Sequence, residues 1–389
     1  MDGDMSLGIY ISIPFCRSKC SYCNFASGVF SQDRMSRFTE RVCEDIRNAS
    51  SMAEDIHAIL DRYVDTIYLG GGTPSILPPE MFQQIIATLC SEFDFASDLE
   101  FTVECAPGTI SDTMLDALLK SGVNRISLGV QSFVDQEARA VARLHDRAMT
   151  IRDVERLRSR GLSNINLDLI AGLPHQTMES WRYSVKELIA LATPHASVYM
   201  LEVDEDSRLG RELIAGGTRY HAHHVPDNDL IADMYEYACA EFNSAGTNQY
   251  EISNFATSEK SSMHNLKYWQ RKPYFGFGLD AHSFLPLQNG QHNESVRFST
   301  TDDLESFLKE PAHKIDFVSS AQSKEEALFL GLRLNEGISI SSGSTSETMA
   351  PTMKELLDQE LLLRTDSRIF LSPRGRLISN DVFAKFIGT

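Results

Sequence analysis

The sequence lacks the features that mark membrane-spanning, secreted and disulfide-rich proteins. Over its 389 residues, no uninterrupted apolar stretch approaches the roughly 18–20 residues that cross a bilayer. Residues 1–8 are polar and carry two Asp, so the cationic start of a signal peptide is missing as well. The seven cysteines are odd in number and thinly spread, which indicates reduced thiols and not a disulfide framework. We therefore expect a cytoplasmic protein with no integral membrane segment, which leaves only a peripheral membrane contact open.

An excess of basic residues is also missing. The chain has 36 Lys and Arg against 54 Asp and Glu, which gives a formal net charge of -18. Because a polyanion binds through a basic face that releases its counterions, we expect no broad nucleic-acid surface, although a local basic pocket is compatible with this total. The 42% of apolar residues is ample for a sizeable core, and the length allows one large domain with an appendage, or two or three domains.

A repeated rhythm of strands and helices fills the first two hundred residues. Short β-branched or apolar runs end in polar or glycine-rich turns and precede helix-like segments, which is typical of parallel βα units. The six runs cover residues 8–15, 66–70, 100–105, 125–131, 164–170 and 196–203, and Gly122 and Gly161 lie where helix C-caps are expected. Distinctive residues mark the C-terminal ends of the runs, where parallel α/β folds build their sites: Cys16, Gly71, Glu104, Gln131, Asp168 and Glu202. The sequence predicts an α/β fold, namely a partial (β/α)6 TIM-like barrel with one active rim.

Beyond this barrel the pattern changes twice. An aromatic-rich segment runs from Tyr250 to Phe284, and the order of elements after residue 310 resembles a winged-helix unit. Mixed local charges and the acidic total favour a packing module over a DNA reader. We predict a core barrel over residues 1–230, an aromatic-rich extension over 231–310, and a C-terminal α+β winged-helix-like domain over 311–389.

Three of the seven cysteines, Cys16, Cys20 and Cys23, lie within eight residues directly after the first run. Thiolates at this spacing on a loop can converge on one metal centre. A structural zinc site wants a fourth ligand, covalent heme attachment needs a His where Asn24 stands, and a redox disulfide leaves one cysteine idle. A 4Fe-4S cluster with one open iron uses all three cysteines, and we favour it over the other three hypotheses. The default interpretation of the remaining four cysteines is a buried, inert thiol.

The residues around this loop resemble a known family. The run YISIPFCRSKCSYCNF over residues 10–25 resembles the cluster-binding segment of radical S-adenosylmethionine (SAM) proteins, and GGGTP over residues 70–74 is similar to their glycine motif. A glycine-rich turn lets backbone groups approach a polar ligand closely. The resemblance implies that SAM chelates the open iron through its methionine amine and carboxylate, and that its reductive cleavage yields a 5'-deoxyadenosyl radical.

Further residues resemble the coproporphyrinogen III oxidase-like branch of that family along nearly the whole chain. The resemblance implies that SAM is contacted by nine residues: Tyr10, Tyr22, Gly71, Gly72, Thr73, Glu104, Gln131, Arg143 and Asp168. Ordinary alternatives remain, since Glu104 could cap a helix, Arg143 could pair on the surface, and Gln131 could bond a neighbouring loop. Ala106 stands where the branch usually has Asn, which removes one hydrogen-bonding side chain from this rim.

Three features are similar to the HemW-type heme chaperones of this branch and differ from its oxidases. Phe25 stands where the oxidases carry a further cysteine. Only fifteen residues precede Cys16, whereas the oxidases have a long N-terminal arm. The run HNLKYW over residues 264–269 matches the HNxxYW motif of the chaperones.

The motif implies a heme ligand, because histidine is a common axial ligand of heme iron and the matching histidine is His264. Tyr268 and Trp269 can pack on the macrocycle, and three cations are available to the propionates: Lys267, Arg271 and Lys272. The alternative is an ordinary helix start with Asn265 as its cap and the aromatic residues in the core. A second histidine group is predicted to lie in a solvated loop with its side chains pointing apart: His221, His223 and His224.

The resemblance implies a heme chaperone that binds heme and transfers it to an acceptor hemoprotein. It also implies a 4Fe-4S cluster, SAM, and a reductant such as a flavodoxin or a ferredoxin. The alternative is an enzyme, the oxygen-independent coproporphyrinogen III oxidase, which forms protoporphyrinogen IX by oxidative loss of carbon dioxide from two propionates. Radical modification of RNA is disfavoured by the acidity and by the lack of an appended basic domain.

Overall fold

The computed structural model of the chain describes residues 6–288, 294–309, 313–340 and 349–387, and a twelve-stranded mixed sheet forms the centre of this part. Its strands, and those of a second small sheet, are β1 (Leu7–Ile13), β2 (Tyr63–Gly71), β3 (Asp94–Cys105), β4 (Arg125–Gln131), β5 (Ile165–Ala171), β6 (His195–Met200), β7 (Asn248–Gln249), β8 (Asn254–Ala256), β9 (Tyr274–Gly278), β10 (His282–Pro286), β11 (Ser295–Thr300), β12 (His313–Val318), β13 (Ile338–Ser339), β14 (Leu362–Arg364) and β15 (Arg368–Leu371). The helices are α1 (Gln32–Asp55), α2 (Pro79–Glu92), α3 (Asp112–Lys120), α4 (Asp135–Ala140), α5 (Arg147–Ser159), α6 (Met178–Leu191), α7 (Arg208–Ile214), α8 (Asn228–Ser244), α9 (Met263–Trp269), α10 (Leu304–Phe307), α11 (Ser320–Arg333), α12 (Ala350–Asp358), α13 (Pro373–Leu377) and α14 (Ser379–Ala384).

Strands β1 to β6 lie side by side in chain order and run parallel, which confirms the six predicted βα units. The largest difference in bounds is at β3, which begins at Asp94 and not at residue 100. Across the described residues the sheet order is β12-β11-β10-β9-β1-β2-β3-β4-β5-β6-β8-β7, so the sheet stays open at both ends. The predicted α/β fold with a partial barrel is therefore confirmed.

The connecting helices begin and end where their sequences supply caps. Thr177 and Ser180 form a reciprocal capping box at the start of α6. Gly122 and Gly161 follow α3 and α5 with φ of +84° and +88°, the left-handed conformation predicted for a C-cap glycine. No helix in the described ranges is long and apolar enough to cross a membrane.

Apolar residues on alternate positions of the strands form the core between the sheet and its helices. Ile9 and Ile11 of β1 and Ile67 and Leu69 of β2 are fully buried in this core, together with Phe38 of α1. Because side chains alternate along a strand, the residues between them point to the opposite, inner face of the sheet. That inner face carries the site described below.

The aromatic-rich extension continues the same sheet. Strand β9 pairs in parallel with β1, and β10, β11 and β12 follow in antiparallel order on that side. On the other side β8 pairs antiparallel with β6. The segment over 231–310 thus builds on the barrel, and its predicted boundaries stay a prediction.

A second hydrophobic core lies near the C-terminus. Strands β13, β15 and β14 form an antiparallel sheet that packs with α11, α12 and α14 through residues such as Leu332, Leu356 and Phe386. This helix, helix, hairpin and helix order agrees with the α+β winged-helix-like expectation. The final predicted helix is divided into α13 and α14 at Ile378.

Candidate functional site

The inner face of the six parallel strands is mostly polar. Each strand presents three inward-pointing residues at alternate positions. From the N-terminal to the C-terminal end of each strand, they are Gly8, Tyr10 and Ser12 on β1; Thr66, Tyr68 and Gly70 on β2; Glu100, Thr102 and Glu104 on β3; Arg125, Ser127 and Gly129 on β4; Asn166, Asp168 and Ile170 on β5; and His195, Ser197 and Tyr199 on β6. We call the last of the three residues on each strand, with the loops that follow, the rim, and the first of the three, with α9, the floor.

The cysteine loop leaves β1 at the rim. Its backbone is held by hydrogen bonds from Cys16 N to Gly28 O (2.8 Å) and from Cys23 N to Cys20 O (3.2 Å). Hydroxyl and guanidinium groups approach all three sulfurs. Thr73 Oγ1 lies 3.8 Å from Cys16 Sγ, Ser27 Oγ lies 3.9 Å from Cys23 Sγ, and Arg143 Nη1 lies 3.6 Å from Cys20 Sγ. Donors around thiolate sulfurs are what iron–sulfur sites use to tune the cluster.

The glycine turn after β2 lies directly against this loop. Gly71 has φ of +98°, and the N–H groups of Gly72 and Thr73 donate to Ile13 O and Phe15 O at 2.7 Å each. A Cβ atom on Gly72 would lie 2.7 Å from Phe15 O and 3.0 Å from Cys16 Sγ, so a side chain does not fit there. The predicted contact residues Gly71, Gly72 and Thr73 are thus brought together beside Cys16.

Gln131 and Arg143 complete the rim on the side of β4. Gln131 has φ of +69°, and its Oε1 atom is buried with no hydrogen-bond partner in the described residues. Arg143 donates to Gly129 O as well as to Cys20 Sγ. A buried amide oxygen without a partner costs free energy, so this oxygen is available to a donor on a ligand. Neither residue plays the surface or loop role that was its alternative.

Glu104 and Asp168 supply the carboxylates of the site. Burial raises the pKa of Glu104 to about 7. A hydrogen bond from Tyr68 Oη to Glu104 Oε1, at 2.8 Å, lowers the pKa but only partly offsets the effect of burial. Burial also raises the pKa of Asp168, which accepts from Asn166 Nδ2 at 2.7 Å. Tyr68 was not predicted as a site residue, although its place two residues before Gly70 on an alternating strand is the signal that identifies it.

Tyr22, Glu202 and Ala106 complete the rim residues named from sequence. Tyr22 packs against a small apolar cluster that includes Val141 and Leu173, beside the cysteine loop. Glu202 follows β6 but is exposed. Ala106 lines a cleft together with Cys20, Thr73 and Arg143, so the position where the branch has Asn does face the rim.

The remaining cysteines differ from one another. Cys43 and Cys105 are buried, as expected, whereas Cys90 is exposed and Cys239 is half-buried, so the buried interpretation is wrong for Cys90.

Burial raises the pKa of Cys16 and of Cys23. Across the described ranges, no three His, Cys, Asp or Glu side chains are arranged to hold a single metal ion.

The donor set of the rim fits a 4Fe-4S cluster and SAM. Three free thiols lie on one loop, each with a hydrogen-bonding neighbour. The glycine turn packs closely against Cys16, and Gln131, with its orphaned Oε1, and Glu104 stand at the C-terminal ends of β4 and β3. Backbone amides, carboxylates and an amide oxygen are suited to the ribose hydroxyls and the amino and carboxylate groups of SAM.

His264 lies at the floor, at the opposite end of the strands from the cysteines. Its ring is fully buried, with Nδ1 hydrogen-bonded to Thr66 Oγ1 and Nε2 to Tyr268 Oη at 2.9 Å each. The ring stacks on Tyr68 with centroids 5.3 Å apart, and burial lowers its pKa to about 3. The role of His264 as heme ligand stays a prediction, and in this structure both ring nitrogens are engaged.

Helix α9 is held on the floor by hydrogen bonds at its N-terminus. Its cap is Ser262, whose Oγ accepts from Asn265 N at 3.3 Å, so the proposed cap at Asn265 is wrong. Glu100 accepts from the N–H groups of Met263 and His264 at 2.9 and 3.0 Å, which places a carboxylate at the helix N-terminus.

Two of the three cations expected at the propionates are engaged elsewhere. Lys267 pairs with Asp65 at 2.7 Å and is 2% exposed, and Arg271 pairs with Glu326 at 2.9 Å. Trp269 lies under the guanidinium of Arg333 at 4.2 Å and not on the inner face. The motif thus forms a structural joint between the barrel and the C-terminal core.

The side chains of the second histidine group, His221, His223 and His224, lie close together. Its members do not point apart: the rings of His223 and His224 are 3.9 Å apart, and those of His221 and His224 are 6.4 Å apart. His175, from the loop after β5, joins them with its Nε2 at 3.2 Å from His221 Nδ1. The expectation of separated side chains is wrong because a residue distant in sequence packs among them.

Comparisons with known proteins agree with this geometry. The sequence model of the Radical SAM superfamily matches residues 10–188, and that of the HemN C-terminal domain matches residues 318–378. The Heme chaperone HemW of Lactococcus lactis is 32% identical, over 97% of this chain and 96% of its own length. HemW of Bacillus subtilis is also 32% identical, over 97% and 98%. Coproporphyrinogen III oxidase (HemN) of Escherichia coli, at 21% identity, shares the fold with a TM-score of 0.81 over 99% of this chain and 90% of its own. The chain belongs to the HemW family of the radical SAM superfamily.

Proposed function

We propose that this protein is a heme chaperone, which binds heme and transfers it to an acceptor hemoprotein. The observation that carries the proposal is the similarity to two proteins named heme chaperone over nearly the full length of all three chains. The exposed Phe25 adds support, because the oxidases of this branch carry a cysteine at that position.

The rim residues are proposed to hold the cofactors of the superfamily. Cys16, Cys20 and Cys23 would bind three irons of a 4Fe-4S cluster. SAM would lie against the glycine turn and the polar strand ends, with nine contact residues: Tyr10, Tyr22, Gly71, Gly72, Thr73, Glu104, Gln131, Arg143 and Asp168. The three thiols with donor neighbours and the orphaned Gln131 Oε1 support this assignment. When bound, the cluster supplies the electron that radical SAM chemistry requires.

We further propose that the chaperone acts in the cytoplasm and that a flavodoxin or a ferredoxin reduces its cluster. The seven free cysteines support a reducing compartment. Because the chain carries a net charge of -18, a direct role on RNA or DNA is not part of this proposal.

Heme transfer and porphyrinogen oxidation are separated by one experiment. The chain is purified without oxygen, its cluster is reconstituted, and it is offered either hemin or coproporphyrinogen III with SAM and a reductant. We expect stoichiometric heme binding, followed by heme appearance in an added apo-hemoprotein, detected by its absorption spectrum.

Two results would overturn the proposal. One is multiple-turnover formation of protoporphyrinogen IX, which would make the protein an oxidase. The other is transfer to the apo-hemoprotein no faster than from hemin bound to an unrelated carrier such as serum albumin. The Cys20→Ser variant in the same assay shows whether transfer depends on the cluster.

A further inference from the structure

Arg125, the first inward-pointing residue of β4, is a buried cation for which the described residues supply no counter-ion. The residue is 1% exposed. Its guanidinium makes one hydrogen bond within the described ranges, from Nη1 to Thr102 Oγ1 at 3.5 Å, and its Nε has no partner there. Because arginine stays charged in proteins, and because burial of an unpaired charge costs much free energy, this group calls for an anion.

Two other cations that the fold encloses each meet a carboxylate. Lys267 pairs with Asp65 at 2.7 Å, and Arg333 pairs with Glu251 at 2.8 Å. Arg125 takes part in no such ion pair with the described residues, and its hydrogen bond to Thr102 is longer than is usual for its type. The fold thus provides partners for its structural cations and keeps this guanidinium available to a ligand.

Arg125 stands at the centre of the barrel interior, within electrostatic reach of α9. Burial is the main cause of the lowered pKa of His195 on β6 and of His264 on α9, and the charge of Arg125 lowers both further. Burial raises the pKa of Asp168 on β5 and of Tyr68 on β2, and the same charge partly offsets both shifts. A charge that acts on four elements around the interior lies between them.

The interior around Arg125 is lined by tyrosines and open at the rim. The strand registers place Tyr10, Tyr68, Thr102 and Arg125 at one level of the sheet. The rings of Tyr10 and Tyr68 have centroids 6.1 Å apart, and both residues are half-buried. Tyr199, the last inward-pointing residue of β6, is 41% exposed. Aromatic walls of this kind suit a flat, largely apolar ring system.

A carboxylate is the anion that suits this interior. A guanidinium presents parallel N–H groups that match the two oxygens of a carboxylate. Glu104 and Asp168 also point inward, and their negative charges disfavour a more highly charged group such as a phosphate. Heme combines a flat ring with two flexible propionates, and two of the cations first expected at those propionates, Lys267 and Arg271, are engaged elsewhere.

We propose that Arg125 is the carboxylate receptor of the barrel interior and binds a propionate of the heme that this chaperone carries. The inference rests on the proposed function and deepens it, because it names the group that orients the macrocycle. It leaves the iron ligand on α9, whose His264 stacks on Tyr68 of the same interior. SAM also has a carboxylate, so the experiment distinguishes these two sources.

Hemin and its dimethyl ester test the assignment in protein without SAM. The ester keeps the iron and the ring but carries no carboxylate, and both ligands are titrated in the same detergent-containing buffer at neutral pH. The wild type should bind hemin about tenfold more tightly than the ester or better, because only hemin forms a charged hydrogen bond with Arg125. In Arg125→Met this preference should be lost, while the Soret band of bound hemin stays where the wild type has it, because the iron ligand is unchanged.

Stability and two further variants separate recognition from a structural role. Heme-free Arg125→Met should unfold at a urea concentration no lower than the wild type, because the change removes a buried charge that has no counter-ion. Arg125→Lys keeps the charge without the planar fork and should restore part of the preference for hemin. Arg139→Gln is the matched control and should keep the full preference, since Arg139 lies on α4 with its side chain 69% exposed.

The outcomes separate this inference from the function on which it rests. If the wild type binds neither hemin nor the ester, the chaperone proposal fails. If the wild type binds hemin and Arg125→Met keeps the same preference over the ester, the inference fails while the chaperone proposal stands. It also fails if Arg125→Met unfolds more easily and binds both ligands equally poorly, because Arg125 would then be a structural cation. Loss of SAM binding by cluster-loaded Arg125→Met, with the preference for hemin unchanged, would assign the guanidinium to SAM and overturn the inference as well.

Discussion

The rim and the floor of the barrel are built from the same kinds of residues, but they differ in how those residues are satisfied. At the floor, His264, Lys267 and Glu100 are buried and each has a hydrogen-bond or ion-pair partner, whereas Arg125 Nε has no partner in the described residues. At the rim, Gln131 Oε1 has no partner in the described residues and the pKa of Glu104 is raised to about 7. The floor residues around α9 stabilise the fold. The rim, in contrast, holds buried polar groups whose burial costs free energy until a ligand supplies hydrogen-bond partners.

This contrast shows why residue type alone is a weak guide to function. A histidine beside aromatic residues describes both a heme ligand and a core residue, and the hydrogen-bond partners decide between them. His264 has two such partners, whereas the hydrogen bond between His175 and His221 engages one ring nitrogen of each. Changes at the two ends of the barrel should therefore have different consequences.

The largest effect is expected at the rim. Cys20→Ser should abolish the brown iron–sulfur absorption of the reconstituted protein, because the remaining two thiols cannot hold the cluster. Cys239→Ser is the matched control, since Cys239 is half-buried on α8 and away from the loop. Iron and sulfide analysis with visible absorption measures both variants. Equal loss in the two variants would contradict the ligand assignment.

The floor should respond in stability and not in cofactor binding. Lys267→Met removes one partner of a buried ion pair and the donor to Ser6 O, so the free energy of unfolding should fall by about 3–5 kcal/mol. Urea unfolding measures the loss. Lys385→Met is the control, because Lys385 and Glu355 form a pair that is 39% and 52% exposed, and little change is expected there.

This interpretation would be contradicted if Lys267→Met lowered the free energy of unfolding no more than Lys385→Met does. The fold of α9 would then depend on the apolar joint of Tyr268 and Trp269 alone. In that case the floor would be free to open, which would make His264 accessible to heme iron.

Much of the rim could be predicted because each part of it follows from a short stretch of sequence. Every parallel strand carries its own alternating run. Cys16 follows the end of β1 by three residues, and Gly71 is the last residue of β2. The fold class also follows, since βα units in sequence order build only a few topologies. The bounds were less accurate, as at β3, because strand ends are decided by pairing with neighbours.

The floor could not be predicted in the same way. His264 meets Thr66, 198 residues earlier in the chain, and Glu100 meets α9 across 164 residues. No local pattern records such a contact. His175 likewise joins His221 across 46 residues, which is why the histidines were expected to point apart.

The pH dependence of stability sharpens the comparison at the rim. Glu104 has a pKa of about 7 in the fold against an ordinary 4.5, so its contribution to stability is complete below pH 4.5 and is lost as pH rises through 7. In the cluster-free wild type, ionisation of Glu104 should lower the free energy of unfolding by about 2–3 kcal/mol between pH 5 and pH 8. This part of the pH dependence should be absent from the Glu104→Gln variant. Glu355→Gln is the control, because a hydrogen bond from Lys385 lowers the pKa of this exposed carboxyl. Parallel profiles for the Glu104→Gln variant and the wild type would refute the raised pKa.

The smallest expected effect concerns the hydrogen-bonding side chain that the rim lacks. Ala106 lines the cleft beside Cys20, Thr73 and Arg143, and its carbonyl already accepts from Thr109 N at 3.1 Å, so the backbone there is fixed. Ala106→Asn should add one hydrogen bond to bound SAM, worth about 1 kcal/mol or roughly a fivefold lower dissociation constant. Ala106→Leu, of similar size but without polar atoms, separates this gain from a change in packing. Equilibrium binding of SAM to the cluster-loaded protein measures both. If the Asn variant binds no better than the Leu variant, position 106 does not face SAM, and the rim is arranged differently from the branch that its sequence resembles.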